Sequence, residues 1–170
     1  MSRDAATDGG VDDAADDEQT NAPAGPLDGV TVIEAGSMIS IGTVGRLLAD
    51  FGADVIKVEH PAGTDPLREW PPYDEGVSLW WKSIARNKRC VTLDLSTPEG
   101  SALLLDLIAD ADVLFENFRP GTMEGWGLGP DRLHAENPGL IVVRQSGYGQ
   151  TGPRSQKPGF GTVAEGIANW

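Results

Sequence analysis

A doubly wound α/β domain built on a parallel sheet is the fold the sequence predicts. Three observations predict it. Five short runs rich in apolar and β-branched residues recur along residues 26–170. Segments with helical apolar spacing or helix-start signals lie between most of them. Residues 30–59 read as strand, turn, helix and strand in one unbroken stretch. Two strands joined through a helix run parallel, with a right-handed crossover. Ligands bind such sheets beyond the carboxyl ends of the strands. Residues 35–40 and the segment after Glu59 are therefore expected to line a crevice.

Each element has its own signal. Residues 26–29 (Pro-Leu-Asp-Gly) make a turn that delivers the first strand, 30–34. Gly36, Gly42 and Gly45 loosen the exit from it. A helix is expected from Thr43, with Val44, Leu47, Leu48 and Phe51 at helical spacing and Gly52 where it stops. The second strand is 54–59. Residues 60–77, rich in Pro and Gly, form a long loop carrying Trp70 and Tyr73, of a length that is often functional. A short helix follows over 78–86, its Trp80 and Trp81 read as core or subunit contacts rather than ligand stackers. The third strand is 89–95. Thr97 then caps a helix with Pro98 in its first position and Leu103, Leu104, Leu107 and Ile108 on its apolar face. The fourth strand is 112–116, two short helices follow at 120–126 and 130–136, and the fifth strand is 140–145. Residues 146–159 are again rich in Gly and Pro, and a last helix begins near Thr162. No stop signal follows it, so the sequence is expected to be a fragment of a longer protein.

The totals exclude several classes. A net charge of −13 and a pI of about 4.4 disfavour nucleic acid or an anionic membrane surface as partner. No apolar run approaches the ~18 residues of a membrane-spanning helix, and no secretory signal is visible. Cys90 is the lone cysteine, so no internal disulfide or cysteine-based zinc site is possible; a cytoplasmic protein is expected. Residues 1–25 hold seven acids and one base, a net of −6, with little to bury, and are read as a disordered acidic tail; residues 26–170 form the folded part. The acidity of that part suits a salty, halophilic cytoplasm.

The motifs exclude further chemistry. Gly36, Gly42 and Gly45 do not make G-x-G-x-x-G, so the pyrophosphate turn of a dinucleotide fold is missing. No P-loop and no G-x-S-x-G elbow occurs. His60 and His134 are not at metal-ligand spacing, and no metal site is assigned. The loops after the later strands are more informative. Glu116-Asn117-Phe118-Arg119 sets an amide, a ring and a guanidinium directly after the fourth strand. Ser146-Gly147-Tyr148-Gly149-Gln150 follows the fifth. An adenine needs an aromatic or apolar flank, and its phosphates need Arg, Lys or free N–H groups. A blander reading has the glycines only making turns and Arg119 pairing with a surface carboxylate.

The blocks PLDGVTVIEAG, LLADFGADVIKVE, NKRCVTLDLSTPEG, ADVLFENFRPGTMEGWGLG, NPGLIVVRQSGYGQTGP and PGFGTVAEGIANW resemble those of family III CoA-transferases, in family order. The resemblance runs from about Pro26 to the end. That family includes formyl-CoA transferase, carnitine CoA-transferase and α-methylacyl-CoA racemase. The resemblance implies a Rossmann-like large domain, a small domain in chains more than twice this length, and interlocked homodimers.

It also implies an acyl-CoA:carboxylate CoA-transferase whose partners are an acyl-CoA and a carboxylic acid acceptor. The CoA thioester is a substrate, and no separate cofactor is expected. Met38 and Ile39 are implied to touch the nucleotide or pantetheine. His60 stands where relatives often place an Arg near the CoA phosphates. Leu93 and Ser96 flank the adenine, Ser96 where some relatives carry Lys. Asn117 and Phe118 contact the pantetheine and pyrophosphate region, and Ser146, Gly147 and Tyr148 face the thioester. The nucleophilic aspartate of the family is implied to lie beyond Trp170, so no catalytic residue is assigned here. Gly161 stands where the racemase branch has its catalytic step, which argues against racemase chemistry; Glu165, the nearest carboxylate, reads as structural. The competing expectation is a non-catalytic CoA-binding or dimer-interaction module.

Overall fold

The computed structural model describes residues 25–168. The acidic tail expected over 1–25 therefore lies, apart from Gly25, outside the described residues. Five parallel strands form the sheet: β1 (Thr31–Ala35), β2 (Asp54–Glu59), β5 (Lys88–Thr92), β6 (Val113–Glu116) and β7 (Ile141–Arg144). Their spatial order is β5-β2-β1-β6-β7. The chain winds outward one way from β1, returns, and winds outward the other way from β6, so the order reverses between β1 and β6.

The helices are α1 (Met38–Asp50), α2 (Leu79–Ile84), α3 (Pro98–Ala109), α4 (Thr122–Gly125), α5 (Pro130–Glu136) and α6 (Gly161–Ala168). Thr97 caps α3 as expected, its hydroxyl accepting from Gly100 N at 3.1 Å. One face of the sheet buries Ile33, Ile56 and Leu114 against Leu104, Ile108 and Leu133 of α3 and α5. The other buries Val32 and Val55 with Ala49 of α1 and Ala53.

Three expectations change. Helix α1 starts five residues earlier than Thr43, and it turns a different face inward. Val44, Leu47 and Phe51 are 36%, 45% and 54% exposed, while Ile41, Gly42, Gly45 and Ala49 are buried. The glycines of the inward face make room for neighbouring side chains: a Cβ on Gly42 would stand 2.5 Å from Ile84 Cγ2. A Cβ on Gly45 would stand 2.0 Å from Glu34 Oε2. Strand β5 spans Lys88–Thr92 rather than 89–95, since Leu93, Asp94 and Leu95 turn away into the loop. The loop 60–77 is not irregular throughout. It holds a short 3-10 helix (Pro66–Glu69) and most of a two-stranded hairpin of β3 (Tyr73–Asp74) and β4 (Val77–Ser78).

A charged network runs through the interior. Lys57 Nζ lies 2.9 Å from Glu34 Oε1 and 2.9 Å from Asp65 Oδ2, and donates to Gly36 O at 3.0 Å. Lys88 Nζ lies 2.6 Å from Glu34 Oε2 and donates to Gly42 O at 2.8 Å. All four charged side chains are at most 2% exposed. Burial pushes the Lys57 ammonium down, but Glu34 and Asp65 outweigh it and its pKa is raised. Burial dominates at Lys88, which is lowered despite Glu34. Removing one member of such a set strands the others. Lys57→Met is expected to cost about 3–5 kcal/mol in urea unfolding. A loss below about 1 kcal/mol, the range of an exposed pair, would show that the network is not a structural anchor.

Candidate functional site

The carboxyl ends of β1 and β6 are joined by a side chain. Asn117 Oδ1 accepts from Ser37 N at 3.1 Å, and its Nδ2 donates to Ser37 O at 2.8 Å. Gly36 makes room, since a Cβ there would stand 2.2 Å from Asn117 Oδ1. Asp65 reaches across from the loop after β2. It accepts from Met38 N at 3.1 and 3.2 Å and from Leu67 N at 3.0 Å. Met38 sits at φ 72°, a left-handed conformation costly for a residue with a Cβ, and the Asp65 contact holds it there. The Ser37 and Met38 amides at the start of α1 are thus already satisfied by side chains. Those two N–H groups are not offered to a pyrophosphate.

Beside this clamp lies a cleft of about 420 Å³. Leu93, Leu95, Phe118 and Trp126 form its apolar walls, and His60 and Ser96 its polar rim. Phe118 meets Trp126 edge-on with centroids 5.0 Å apart. Phe118 is fixed from behind, because its N–H donates to Glu116 Oε2 at 2.7 Å. Glu116 is buried and takes Arg144 Nε at 2.6 Å, and Arg144 also binds Glu124. β6, β7 and α4 are held together by that one guanidinium.

The rim is a small polar cluster. His60 Nε2 lies 3.4 Å from Asp94 Oδ1, and its Nδ1 accepts from Ala62 N at 3.0 Å. Ser96 gives Asp94 Oδ1 both its hydroxyl, at 2.6 Å, and its amide, at 3.0 Å. These bonds from Ser96, with His60 adding, hold the Asp94 carboxyl below its usual range. On the floor, Glu59 accepts from Asp65 N at 3.2 Å and from Arg68 Nη2 at 2.6 Å. Arg68 in turn lies 3.6 Å over the Trp81 ring, so Trp81 stacks on an arginine of its own chain.

Of the residues singled out from the sequence, His60, Leu93, Ser96 and Phe118 line this one cleft. Met38 and Asn117 border it through the clamp. Ile39 follows Met38 and is 38% exposed. Ser146, Gly147 and Tyr148 lie outside the cleft lining, in the loop after β7, where Gly147 packs on the Gly159 backbone. Sequence reasoning missed Trp126, Glu59 and Asp65. Asp65-Pro66 was a readable helix-cap signal, while Trp126 had none. Arg119 makes no ion pair among the described residues, contrary to the blander reading. His134 lies on α5 with Nε2 3.1 Å from Leu140 O, away from the cleft.

A family model described as CoA-transferase family III matches residues 27–170. The succinyl-CoA–D-citramalate CoA-transferase of Chloroflexus aurantiacus is 54% identical over 146 residues, covering 85% of this chain and 36% of that protein. The succinyl-CoA–L-malate CoA-transferase beta subunit of the same organism is 52% identical over 143 residues, covering 84% and 35%. A crystal structure of a CAIB/BAIF family protein from Brucella suis superposes with a TM-score of 0.79 at 39% identity, covering 85% of this chain and 39% of that one. The chain spans little more than a third of the length of these curated relatives.

Acid sensitivity follows from Glu59. Burial pushes its carboxyl up, but Arg68 and the Asp65 amide outweigh burial and its pKa is lowered. The folded state then binds this proton less readily than an unfolded glutamate, whose pKa is about 4.3. The stabilisation is therefore full above roughly pH 4.3 and is lost as pH falls through the lower folded value. Glu59→Gln is expected to reduce stability at neutral pH and to flatten the fall below about pH 4.3. Urea midpoints across that range check it, and an unaltered acid limb contradicts it.

Proposed function

The chain belongs to CoA-transferase family III, and on that premise we propose that it supplies the CoA-binding part of an acyl-CoA:carboxylate CoA-transferase. The observation that carries the reading is the cleft at the carboxyl edge of the sheet, beside the point where the strand order reverses. Leu93, Leu95, Phe118 and Trp126 offer an adenine the apolar flank it needs, Arg119 is the cation at hand for its phosphates, and His60 stands on the polar rim beside them. Asn117 holds the floor in register, and the loop carrying Ser146, Gly147 and Tyr148 faces the acyl end. CoA acts as substrate, and no further cofactor takes part.

The overall exchange moves CoA from a thioester to a free carboxylate. Its reacting carboxylate is not drawn from the carboxylates of the cleft. Glu59 is taken by Arg68, Asp65 by Lys57 and two amides, and Asp94 by Ser96. A carboxylate so engaged is a poor nucleophile. What this chain does is bind and orient. The names of the two Chloroflexus relatives pair succinyl-CoA with citramalate or malate. All of these are dicarboxylates, and a dicarboxylate is the substrate class we assign to the whole protein.

We place that protein in the cytoplasm as a homodimer. The apolar stripe Val44, Leu47 and Phe51 exposed on α1 supports an extensive further interface. Among the described residues no helix is long and apolar enough to cross a membrane.

Calorimetric titration of the purified chain with CoA tests the reading. Saturable binding is expected, with Phe118→Ala weakening it roughly ten-fold, the scale of a lost base-stacking contact. No saturable binding by a folded chain, or equal affinity in the variant, would discard the cleft as the CoA site.

A further inference from the structure

The charges of this molecule are distributed unevenly. Twelve lysines and arginines lie within residues 25–168. Nine of them sit in ion pairs: Arg46, Lys57, Arg68, Lys82, Arg86, Lys88, Arg89, Arg132 and Arg144. Carboxylates outnumber cations two to one in the whole chain, 26 against 13, so partners are plentiful. Yet Arg119, Arg154 and Lys157 have none among the described residues. All three stand on the loops that follow β6 and β7, adjacent strands at the carboxyl edge of the sheet.

The loop after β7 has a second peculiarity. Ser146 Oγ and Gln150 Nε2 are buried there with no hydrogen-bond partner among the described residues; the one other such side-chain atom is Arg46 Nε on α1. Buried polar groups of this kind are rare because each costs the desolvation it does not recover. The same loop therefore offers a hydroxyl and an amide N–H without an acceptor and two cations without a carboxylate. The loop folds tightly on itself. Gly147 and Gly159 bring the two ends of the loop together, and Ser155 N and Lys157 N turn back onto Gly152 O and Arg154 O at 3.2 and 2.9 Å.

We propose that this loop is the subsite for the distal carboxylate of a dicarboxylate acyl group, with Arg154 and Lys157 supplying the charge and Gln150 and Ser146 the hydrogen bonds. The inference rests on the CoA reading of the neighbouring cleft and extends it to the far end of the substrate. A CoA thioester that starts at Phe118 and runs along the sheet edge toward Ser146 delivers its acyl group to this loop. A monocarboxylic acyl group leaves these four donors unpaired, whereas a dicarboxylic one pairs them.

The test compares succinyl-CoA with butyryl-CoA, which has the same chain length and a methyl group in place of the distal carboxylate. The chain itself is titrated with each and with free CoA, as the wild type and as the double variant Arg154→Gln/Lys157→Gln. The wild type is expected to bind succinyl-CoA roughly five-fold more tightly than butyryl-CoA, the scale of a charge-assisted contact at an open site. The double variant is expected to lose that preference while keeping its affinity for free CoA, which also reports that it is folded. Equal affinities of the wild type for the two thioesters overturn the proposal. So does a variant that loses free CoA as strongly as succinyl-CoA, because the cations then serve the phosphates. Failure of the wild type to bind any of the three removes the CoA reading and this inference together.

Discussion

Everything at the carboxyl edge of this sheet depends on one buried ammonium. Lys57 stands in the middle of β2, where a parallel strand covered on both faces is expected to be apolar. It ties Glu34 of β1, Asp65 of the following loop and the carbonyl of Gly36 into one cluster. Lys88 of β5 closes the other side of Glu34. A set of charges in the interior is weak evidence for stability, because desolvation offsets much of the attraction. Its value here is geometric. The cluster fixes where the chain leaves β1, and through Asp65 it holds Met38 in a conformation the residue would not choose.

That fixed exit separates this fold from the dinucleotide-binding arrangement it resembles in outline. In the latter, a glycine turn leaves the N–H groups of the first helix open to a pyrophosphate. Here Asn117 and Asp65 take the Ser37 and Met38 amides, and on the small face of α1 Gly45 makes room for Glu34 while Gly42 admits Ile84. The Ser37 and Met38 amides are therefore not open to a ligand at the strand-order reversal. Side chains on the loops after β2, β5 and β6 build the walls of the crevice instead: His60, Leu93, Ser96 and Phe118.

The strands were legible in the sequence because their β-branched runs are bounded by Gly, Pro and Asp, and the start of α3 because Thr97-Pro98 is an unambiguous cap. The inner face of α1 was not legible. Val44, Leu47 and Phe51 have the periodicity of a core face, and only the contact of Gly45 with Glu34 shows that small residues face inward. The hairpin Tyr73–Ser78 was hidden because each of its strands has two residues, too few for alternation to register. At the site, residues adjacent to strand ends could be named from position alone. Asp65 and Trp126 could not, since the first acts through a left-handed Met38 twenty-seven positions away and the second through an edge contact with Phe118.

Net charge does not by itself set the field at one edge of the sheet. A chain at −13 repels an anion at long range in the absence of salt, yet repulsion between exposed charges is screened within about 10 Å at 0.1 M salt. What governs capture is the local field. Several carboxylates near the cleft are paired with a cation in place: Glu59 with Arg68, Asp65 with Lys57, Glu116 with Arg144. Among the described residues the cations without a partner are then concentrated on the two loops at the carboxyl edge. An acidic surface elsewhere sharpens that contrast in local charge. High salt would screen the repulsion from the distant surface more than a desolvated contact at short range. Solubility through a negative surface and recognition of negative substrates are thus compatible, provided the acids near the site are paired and the cations there are left unpaired.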